Sequence, residues 1–142
     1  MAETDAIVLT FDVDSDDFTR AGEASSRLKR TLKQMGLPPD VIRRISIVMY
    51  EGEINMVIHA RGGKITVTVD NDTVTMVLAD VGPGIPDVEK AMRAGWSTAS
   101  EAVRQQGFGA GMGLPNMEKN ADVLKIDTTV GVGTTVTAVV RL

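Results

Sequence analysis

The sequence predicts an α+β fold, a two-layer α/β sandwich in which a mixed, mostly antiparallel sheet of about five strands carries helices on one face. Three observations lead to this class. Several segments alternate apolar and polar residues and are separated by short turns, as the strands of β-hairpins are. Other segments repeat apolar residues every three or four positions, as amphipathic helices do. Strands and helices do not alternate strictly along the chain, which argues against a parallel sheet of βαβ units.

The chain begins with one strand and one amphipathic helix. Residues 7–11 alternate as a strand does, and Asp14 or Ser15 follows as a candidate N-cap residue. Apolar residues then recur at helical spacing between Phe18 and Met35. Gly36 can end this helix, because glycine adopts the left-handed conformation that is common at helix C-termini.

A longer helix and a hairpin come next. The helical period runs from about Pro39 to Ala60, with proline at a favourable first position, and Gly62-Gly63 breaks it. Two alternating runs, 65–69 and 74–79, flank the turn residues 70–72. They predict a β-hairpin.

The rest of the chain predicts two short helices and a second hairpin. The helices cover residues 87–94 and residues 114–120. The hairpin pairs residues 123–128 with residues 134–141 around a turn at 130–133. Because no internal repeat, linker or low-complexity tract interrupts the chain, residues 1–142 are expected to form a single domain.

The composition excludes several classes of function. The 142 residues include no cysteine and one histidine, which excludes disulfide frameworks, thiolate nucleophiles and multi-histidine metal sites. A formal net charge of −4 argues against a protein that recognises nucleic acid through its overall field. No apolar run approaches the length of a membrane span, and the first residues do not resemble a signal peptide. We therefore expect a soluble cytoplasmic protein.

The long helix carries polar residues between two apolar arcs. At about 100° per residue, Glu51 and Asn55 fall in the gap between those arcs, and His59 continues their line. Glu53 falls with Tyr50 on the face expected to be wet, so the projection predicts that Glu51 points inward and Glu53 outward. Two interpretations stay open. Either Asn55 and Glu51 form a pocket floor, as a ligand for a hard cation and a base or water holder, or both bond to neighbouring backbone.

Glycines concentrate in three clusters, of which the first spans residues 80–86 (DVGPGIP). It directly follows a strand, so the side chain of Asp80 can face a pocket. Gly82 and Gly84 then let the backbone pass close to a flat ligand, because they have no Cβ atoms. A tight turn explains the same residues without a ligand.

The other two clusters lie later in the chain. The sequence GFGAGMG at 107–113 places glycine at alternate positions before a helix, where free amides can bind phosphate. A flexible loop is the alternative, and the spacing matches neither the dinucleotide motif nor the P-loop. The sequence GVGTT at 131–135 includes Thr134, and an ordinary hairpin turn followed by a strand also explains it.

Four segments in order, EGEINMVIH, DVGPGIP, GFGAGMGLPN and GVGTTV, together resemble the N box and the three glycine boxes of the GHKL ATPases. The resemblance covers residues 41–141 and is closest to bacterial anti-sigma-factor serine/threonine kinases and related switch kinases. It implies the Bergerat fold, binding of Mg-ATP under a mobile lid, and phosphorylation of a small STAS-type antagonist protein on serine or threonine. Met56 departs from the pattern, because those kinases usually carry alanine there, and the lid stretch 95–106 aligns poorly.

The resemblance also implies roles for individual residues. Asn55 matches the ligand of Mg²⁺, Glu51 the general base, and Asp80 the acceptor of the adenine amino proton. Gly82 and Gly84 match the glycines that leave room for the adenine ring. The glycines around the phosphates are matched by Gly107, Gly109, Gly111 and Gly113. Thr134 matches the threonine near the adenine, and His59 matches a recurrent N-box histidine.

The leading hypothesis is an ATP-dependent protein serine/threonine kinase that phosphorylates a small antagonist protein and regulates transcription by partner switching, with a sigma factor as a further partner. Two alternatives stay open: a non-catalytic, ATP-gated protein-binding module, and a detached histidine-kinase ATPase domain. The family also implies a homodimer. Candidate surfaces for it are Tyr50, Val57 and the exposed edge of the first strand.

Overall fold

The computed structural model describes residues 6–14, 20–92 and 113–142, and these contain five strands and four helices. The strands are β1 (Ile7–Val13), β2 (Gly63–Val69), β3 (Thr73–Asp80), β4 (Val123–Thr129) and β5 (Gly133–Arg141). The helices are α1 (Glu23–Gln34), α2 (Pro39–His59), α3 (Val88–Ala91) and α4 (Gly113–Asn120). Within the described residues, none of the helices is both long and apolar enough to span a membrane.

The strands form a single sheet in the order β1-β2-β3-β5-β4. Both predicted hairpins are confirmed, with Val69 opposite Val74 in the first and Thr129 opposite Gly133 in the second. Every neighbouring pair among these strands is antiparallel, so the described part of the sheet is antiparallel throughout and not mixed. The strand that ends at Asp80 is central, because β3 pairs with β2 on one side and with β5 on the other.

The helices pack against one face of this sheet and enclose the core. Alternate residues of the central strands, including Ile65, Val67 and Met76, are buried, and the threonines between them are only half-buried. The fully buried side chains that the helices add to the same cluster include Leu28, Leu32, Ile45, Val48, Met49 and Met117. The α+β class with helices on one face is confirmed.

Gly52 allows α2 to lie directly against the sheet. A Cβ atom at this position would overlap Leu78 Cδ2 and would lie 3.2 Å from Met117 Cε. The middle of α2 is therefore wedged between β3 and α4. This contact fixes the depth at which Glu51 and Asn55, on either side of the glycine, are held.

The first helix begins later than predicted, and neither Asp14 nor Ser15 is its N-cap. α1 starts at Glu23, and its N-cap is Gly22, which has φ +93° and offers no side chain to the free amides. Ser15 and Phe18 lie outside the described residues. At the other end the prediction is confirmed, because Gly36 adopts φ +80° just after the helix.

Glu53 replaces the missing cap from another helix, and the prediction that it points outward is wrong. The side chain is buried, with 3% of its surface exposed. Its Oε2 accepts a hydrogen bond from the Ala24 amide at 3.1 Å, and its Oε1 accepts from the Ser25 amide at 3.0 Å and from Ser25 Oγ at 2.7 Å. The carboxylate thus satisfies amides at the positive end of α1.

Val57 is also buried, with 2% of its surface exposed, so the prediction that it faces outward is wrong. The projection treated α2 as a helix with one wet face. In the fold, α1, α4 and the sheet all pack against α2, and the arc that holds Glu53 and Val57 is covered. Tyr50 is exposed as predicted, with 43% of its surface accessible.

Candidate functional site

Asp80 lies at the end of the central strand β3, where β3 meets β2 and α2. Gly63 stands opposite it in the register of β2 and β3. A Cβ atom on Gly63 would overlap the Ala79 carbonyl oxygen and would lie 2.6 Å from Met56 Cε and 2.8 Å from Asp80 Cα. The methyl group of Met56, the residue that departs from the GHKL pattern, therefore lies beside the backbone of Asp80.

The carboxylate of Asp80 is held by the start of β5. Its Oδ1 accepts a hydrogen bond from the Thr134 amide at 2.9 Å, and its Oδ2 makes no hydrogen bond within the described part of the chain. Burial raises the pKa of Asp80 above its ordinary value, and the hydrogen bond from the Thr134 amide opposes this rise. The geometry leaves one carboxylate oxygen available to a donor on a ligand.

Thr134 and Thr128 form a hydroxyl pair next to Asp80. Their Oγ1 atoms are 2.9 Å apart, and Thr128 Oγ1 also accepts a hydrogen bond from the Ile85 amide at 2.8 Å. Thr134 is buried. Sequence reasoning identified Thr134 but missed Thr128, although the predicted hairpin turn already implied that the two residues face each other across β4 and β5.

The loop of the first glycine cluster is docked on the turn between β4 and β5. The Gly82 amide donates to the Val132 carbonyl at 3.1 Å, and the Gly131 amide donates to the Pro83 carbonyl at 2.8 Å. Gly84 has φ +76°, and a Cβ atom on it would lie 2.6 Å from the Thr129 carbonyl oxygen. Internal packing of the loop therefore requires Gly84, and its predicted role of clearing an adenine ring stays a prediction.

Replacing Gly84 by alanine is expected to lower the free energy of unfolding by about 2–3 kcal/mol, because the residue has a positive φ and its Cβ would meet the Thr129 carbonyl. Gly131→Ala is the matched control. Gly131 also has a positive φ of +83° but open space around the Cβ position, so the expected loss is only about 1 kcal/mol. Urea unfolding followed by circular dichroism measures both. Equal losses would contradict the proposed contact.

Glu51 is oriented by a residue that sequence reasoning missed. Asn116, on α4, donates a hydrogen bond from its Nδ2 to Glu51 Oε2 at 2.7 Å. Glu51 Oε1 makes no hydrogen bond with any described residue, and the side chain is half-buried. One oxygen is thus fixed and the other can accept a proton or a hydrogen bond. No pattern in the sequence singled out Asn116, since only the packing of α2 on α4 joins the two side chains.

Asn55 lies one turn further along α2, against the first residue of α4. A Cβ atom on Gly113 would lie 2.9 Å from Asn55 Nδ2 and 3.0 Å from Asn55 Oδ1. The amide of Asn55 makes no hydrogen bond with the described residues. Its amide oxygen is a suitable ligand atom for a hard cation. The adjacent N-terminus of α4 is a suitable place for an anion, because the helix dipole is positive there. The alternative, in which both residues bond to neighbouring backbone, is therefore wrong for Glu51, because its hydrogen bond goes to a side chain. For Asn55 the pocket-floor interpretation stays a prediction.

The described part of the chain offers few side chains at this site that could coordinate a metal ion. Among the described residues, no three His, Cys, Asp or Glu side chains are grouped closely enough to hold a metal ion. Asn55 alone would hold a cation only together with oxygens from a ligand or water, as in magnesium sites built on substrate phosphates. The residues present fit Mg²⁺ bound with a nucleotide.

Three predicted features lie outside the described residues. They are the side chain of His59, the lid stretch 95–106, and the glycines Gly107, Gly109 and Gly111. Gly113, the last of that cluster, is described and begins α4. The predicted helix at 114–120 is confirmed, and it starts where the phosphate-binding glycines were expected to end.

Comparison with known proteins identifies the family of the chain. A family model described as a histidine kinase-like ATPase domain matches residues 15–140, and the chain belongs to this family. The chain is 32% identical over 111 residues to a protein named anti-sigma F factor from Bacillus licheniformis, covering 74% of this chain and 73% of that one. It is 29% identical over 121 residues to a protein named serine/threonine-protein kinase RsbT from Bacillus subtilis (strain 168), covering 82% and 85%.

A third relative extends the same likeness. An anti-sigma F factor from Caldanaerobacter subterraneus subsp. tengcongensis is 35% identical over 100 residues, covering 67% of this chain and 66% of that one. The resemblance to the GHKL ATPases and to the anti-sigma-factor group is thereby confirmed.

Proposed function

We propose that residues 1–142 act as one ATP-binding domain, a protein serine/threonine kinase of the anti-sigma-factor type. It phosphorylates a small antagonist protein and regulates transcription by partner switching. The observation that carries this proposal is the Glu51 carboxylate, which Asn116 holds at 2.7 Å, one helical turn from Asn55. The names of the relatives, anti-sigma F factor and serine/threonine-protein kinase, support the same activity.

The residues divide between the two ends of the nucleotide. Asp80 accepts the amino proton of adenine through its free oxygen, and Thr134 lies beside it. Gly82 and Gly84 let the base approach the loop. The amides of the glycine cluster at 107–113 and the start of α4 contact the phosphates.

Asn55 would hold Mg²⁺ through its amide oxygen, and the ion would neutralise charge on the triphosphate. Glu51 accepts the proton of the incoming serine or threonine hydroxyl at Oε1. As that hydroxyl oxygen bonds to the γ-phosphorus, the bond from the phosphorus to the β–γ bridging oxygen breaks, and ADP leaves. Asn116 keeps Glu51 aimed at the hydroxyl by holding its other oxygen.

The proposed partners are a STAS-type antagonist, a sigma factor and a second copy of the chain in the cytoplasm. Charge complementarity to nucleic acid is not expected for a chain of net charge −4. In the described sheet β1 pairs only with β2, so one edge of β1 is open, and Ile7 and Val8 on it are exposed. An open edge of this kind can pair with the same strand of a second copy.

An oriented carboxylate favours the kinase over an ATP-gated binding module, because nucleotide-dependent binding alone needs no proton acceptor next to the cation site. The experiment that separates them incubates the protein with Mg-ATP and a recombinant STAS-type antagonist, followed by phosphosite mapping. Transfer to a serine or threonine supports the kinase. ATP binding without transfer supports the module.

Replacing Asp80 by asparagine is expected to weaken ATP binding about 10- to 100-fold and to narrow the preference for ATP over GTP. Asparagine Oδ1 can keep the bond from the Thr134 amide, and its NH₂ group then faces the amino group of adenine. The same NH₂ group can donate to the carbonyl oxygen of guanine. Calorimetric titration with Mg-ATP and Mg-GTP measures both affinities, and an unchanged affinity for ATP would contradict the role of Asp80.

The same variant tests the pKa of Asp80. Because burial raises this pKa in the folded state, the stability associated with the protonated form is fully present below the ordinary value of 3.8 and is lost as the pH rises through the raised pKa. Asparagine carries no such ionisation. As the pH rises from about 3.5, below the ordinary carboxyl pKa, to about 7, the free energy of unfolding of Asp80→Asn should therefore increase relative to that of the wild-type protein. Urea unfolding at the two pH values checks the sign.

A further inference from the structure

A groove of about 690 Å³ runs along the outer side of the helical layer between α1 and α2. A second depression of about 550 Å³ continues it towards the start of α1 and shares Lys29, Ser46 and Tyr50 with it. A volume of this size accommodates several side chains of a bound segment. The two depressions together are called the α1–α2 groove below.

The α1–α2 groove is positively charged in a chain that is acidic overall. Lys29 and Lys33 lie one turn apart on α1, both exposed, and neither has an acidic partner among the described residues. Arg43 lines the same groove, and its acidic partner among the described residues is the exposed Asp40, at 3.7 Å. Like charges one turn apart repel each other and weaken a helix, so this arrangement favours an anionic ligand.

The floor of the groove is apolar. Ile42 is buried there, and Leu37 and Ile47 are half-buried. Tyr50 stands at the junction of the two depressions with 43% of its surface exposed. An exposed tyrosine beside half-buried aliphatic side chains is the kind of surface on which one large apolar side chain of a partner anchors.

Glu51 lines the first depression, next to Tyr50, and Glu23 is an acidic residue that lines the second. Its Oε2 is held by Asn116 from the side of α4. The carboxylate that is the proposed base therefore borders both the nucleotide site and the α1–α2 groove. A chain segment that follows the groove passes Glu51 near Tyr50, where the two depressions meet.

We propose that the α1–α2 groove docks an acidic segment of the protein substrate, with a large apolar side chain next to the serine or threonine that is phosphorylated. Lys29, Lys33 and Arg43 pair with the acidic side chains, Tyr50 contacts the apolar one, and the hydroxyl is placed beside Glu51. This inference rests on the proposed function and names the substrate chemistry of the same site.

The test uses two fluorescein-labelled peptides of equal length that contain one serine, one phenylalanine and two leucines. One peptide carries five glutamates, and its partner carries glutamine at those positions. In fluorescence anisotropy the full chain with Mg-ATP should bind the acidic peptide about tenfold more tightly, with an affinity that falls as salt rises. Lys29→Ala/Lys33→Ala should lose about tenfold in affinity for that peptide, as expected for two exposed charge pairs.

The matched control is Lys64→Ala/Lys125→Ala, which removes the same charge from exposed positions on the sheet. It should bind the acidic peptide as the wild-type protein does. Equal losses in both double variants, equal binding of the two peptides, or equally tight binding of a single-stranded oligonucleotide would overturn the proposal. Phosphorylation of the acidic peptide should show a raised KM and an unchanged kcat in the Lys29/Lys33 variant.

These readouts separate the inference from the proposed function. ATP affinity, measured by calorimetry, should be the same in the wild-type protein and in the Lys29/Lys33 variant. If peptide binding follows the groove but no phosphate is transferred to any substrate, the docking surface holds and the kinase activity fails. If a STAS-type antagonist is phosphorylated with the same KM by both proteins, the kinase activity holds and the groove is not its docking site.

Discussion

Replacing Glu51 by glutamine is expected to reduce phosphoryl transfer about 10²- to 10⁴-fold without changing the affinity for ATP. Glutamine has the same shape, and its carbonyl oxygen can still accept the hydrogen bond that Asn116 donates to Glu51 Oε2. It cannot take the proton of the incoming hydroxyl. The measurement is single-turnover transfer from γ-labelled ATP to a STAS-type antagonist, with ATP affinity determined separately by calorimetry.

Glu118→Gln is the matched control for this change, because Glu118 is exposed on α4 and makes no contact with the site that the structure describes. It should transfer phosphate at the wild-type rate. Asn116→Ala should fall between the two, since the base remains but its orientation is lost. If Glu51→Gln keeps more than about a tenth of the wild-type rate, Glu51 does not supply the contribution expected of a general base.

Replacing Glu53 by alanine is expected to lower the free energy of unfolding by about 3–5 kcal/mol, a large share of the stability of a domain. The change leaves the Ala24 amide, the Ser25 amide and Ser25 Oγ without their acceptor, and it opens a cavity at a site that is 3% exposed. Chemical unfolding monitored by circular dichroism gives the value.

Two further variants make the result specific to the interhelical cap. Glu53→Gln should lose less, because Oε1 can still accept from Ser25 while the new NH₂ group faces the Ala24 amide. Glu23→Ala, in the exposed first turn of the same helix, should lose about 0.5 kcal/mol or less. A stability of Glu53→Ala close to that of Glu23→Ala would show that the cap is unimportant.

The sequence predicted the strands well because each hairpin carries its own local signals. The turn residues 70–72 and 130–133 fix the register of the strands beside them, and the alternation of apolar residues then determines which face is buried. The register of β4 and β5 could have been predicted in the same way. It would have placed Thr128 opposite Thr134 and beside Asp80.

The long helix α2 shows which side chains a projection of a single helix can place correctly and which it cannot. Its projection gave Glu51 and Asn55 an inward position because they interrupt apolar arcs, and the structure places both beside α4. It failed for Glu53 and Val57, since a projection of one helix does not contain the neighbouring helices that cover its other side. The structure shows why α1 needs an acceptor from elsewhere, because its N-cap is Gly22, which has no side chain to bond the free amides.

Asn116 could not have been found from the sequence. It belongs to a short helix whose own pattern places it among half-buried residues, and its partner Glu51 is distant along the chain. Only the packing of α2 on α4, which Gly52 and Gly113 permit at close range, brings the amide to the carboxylate. Residues that orient a functional group depend on tertiary contacts more than the functional group itself does.

The central claim, that this chain transfers phosphate to a serine or threonine of a protein, is tested most directly by one assay. The wild-type protein and Glu51→Gln are each incubated with γ-labelled Mg-ATP and a STAS-type antagonist, and the labelled product is treated with acid and mapped. The proposal predicts an acid-stable phosphoserine or phosphothreonine on the antagonist with the wild-type protein and almost none with Glu51→Gln. ATP binding without labelled antagonist, or a label that acid removes, would contradict it.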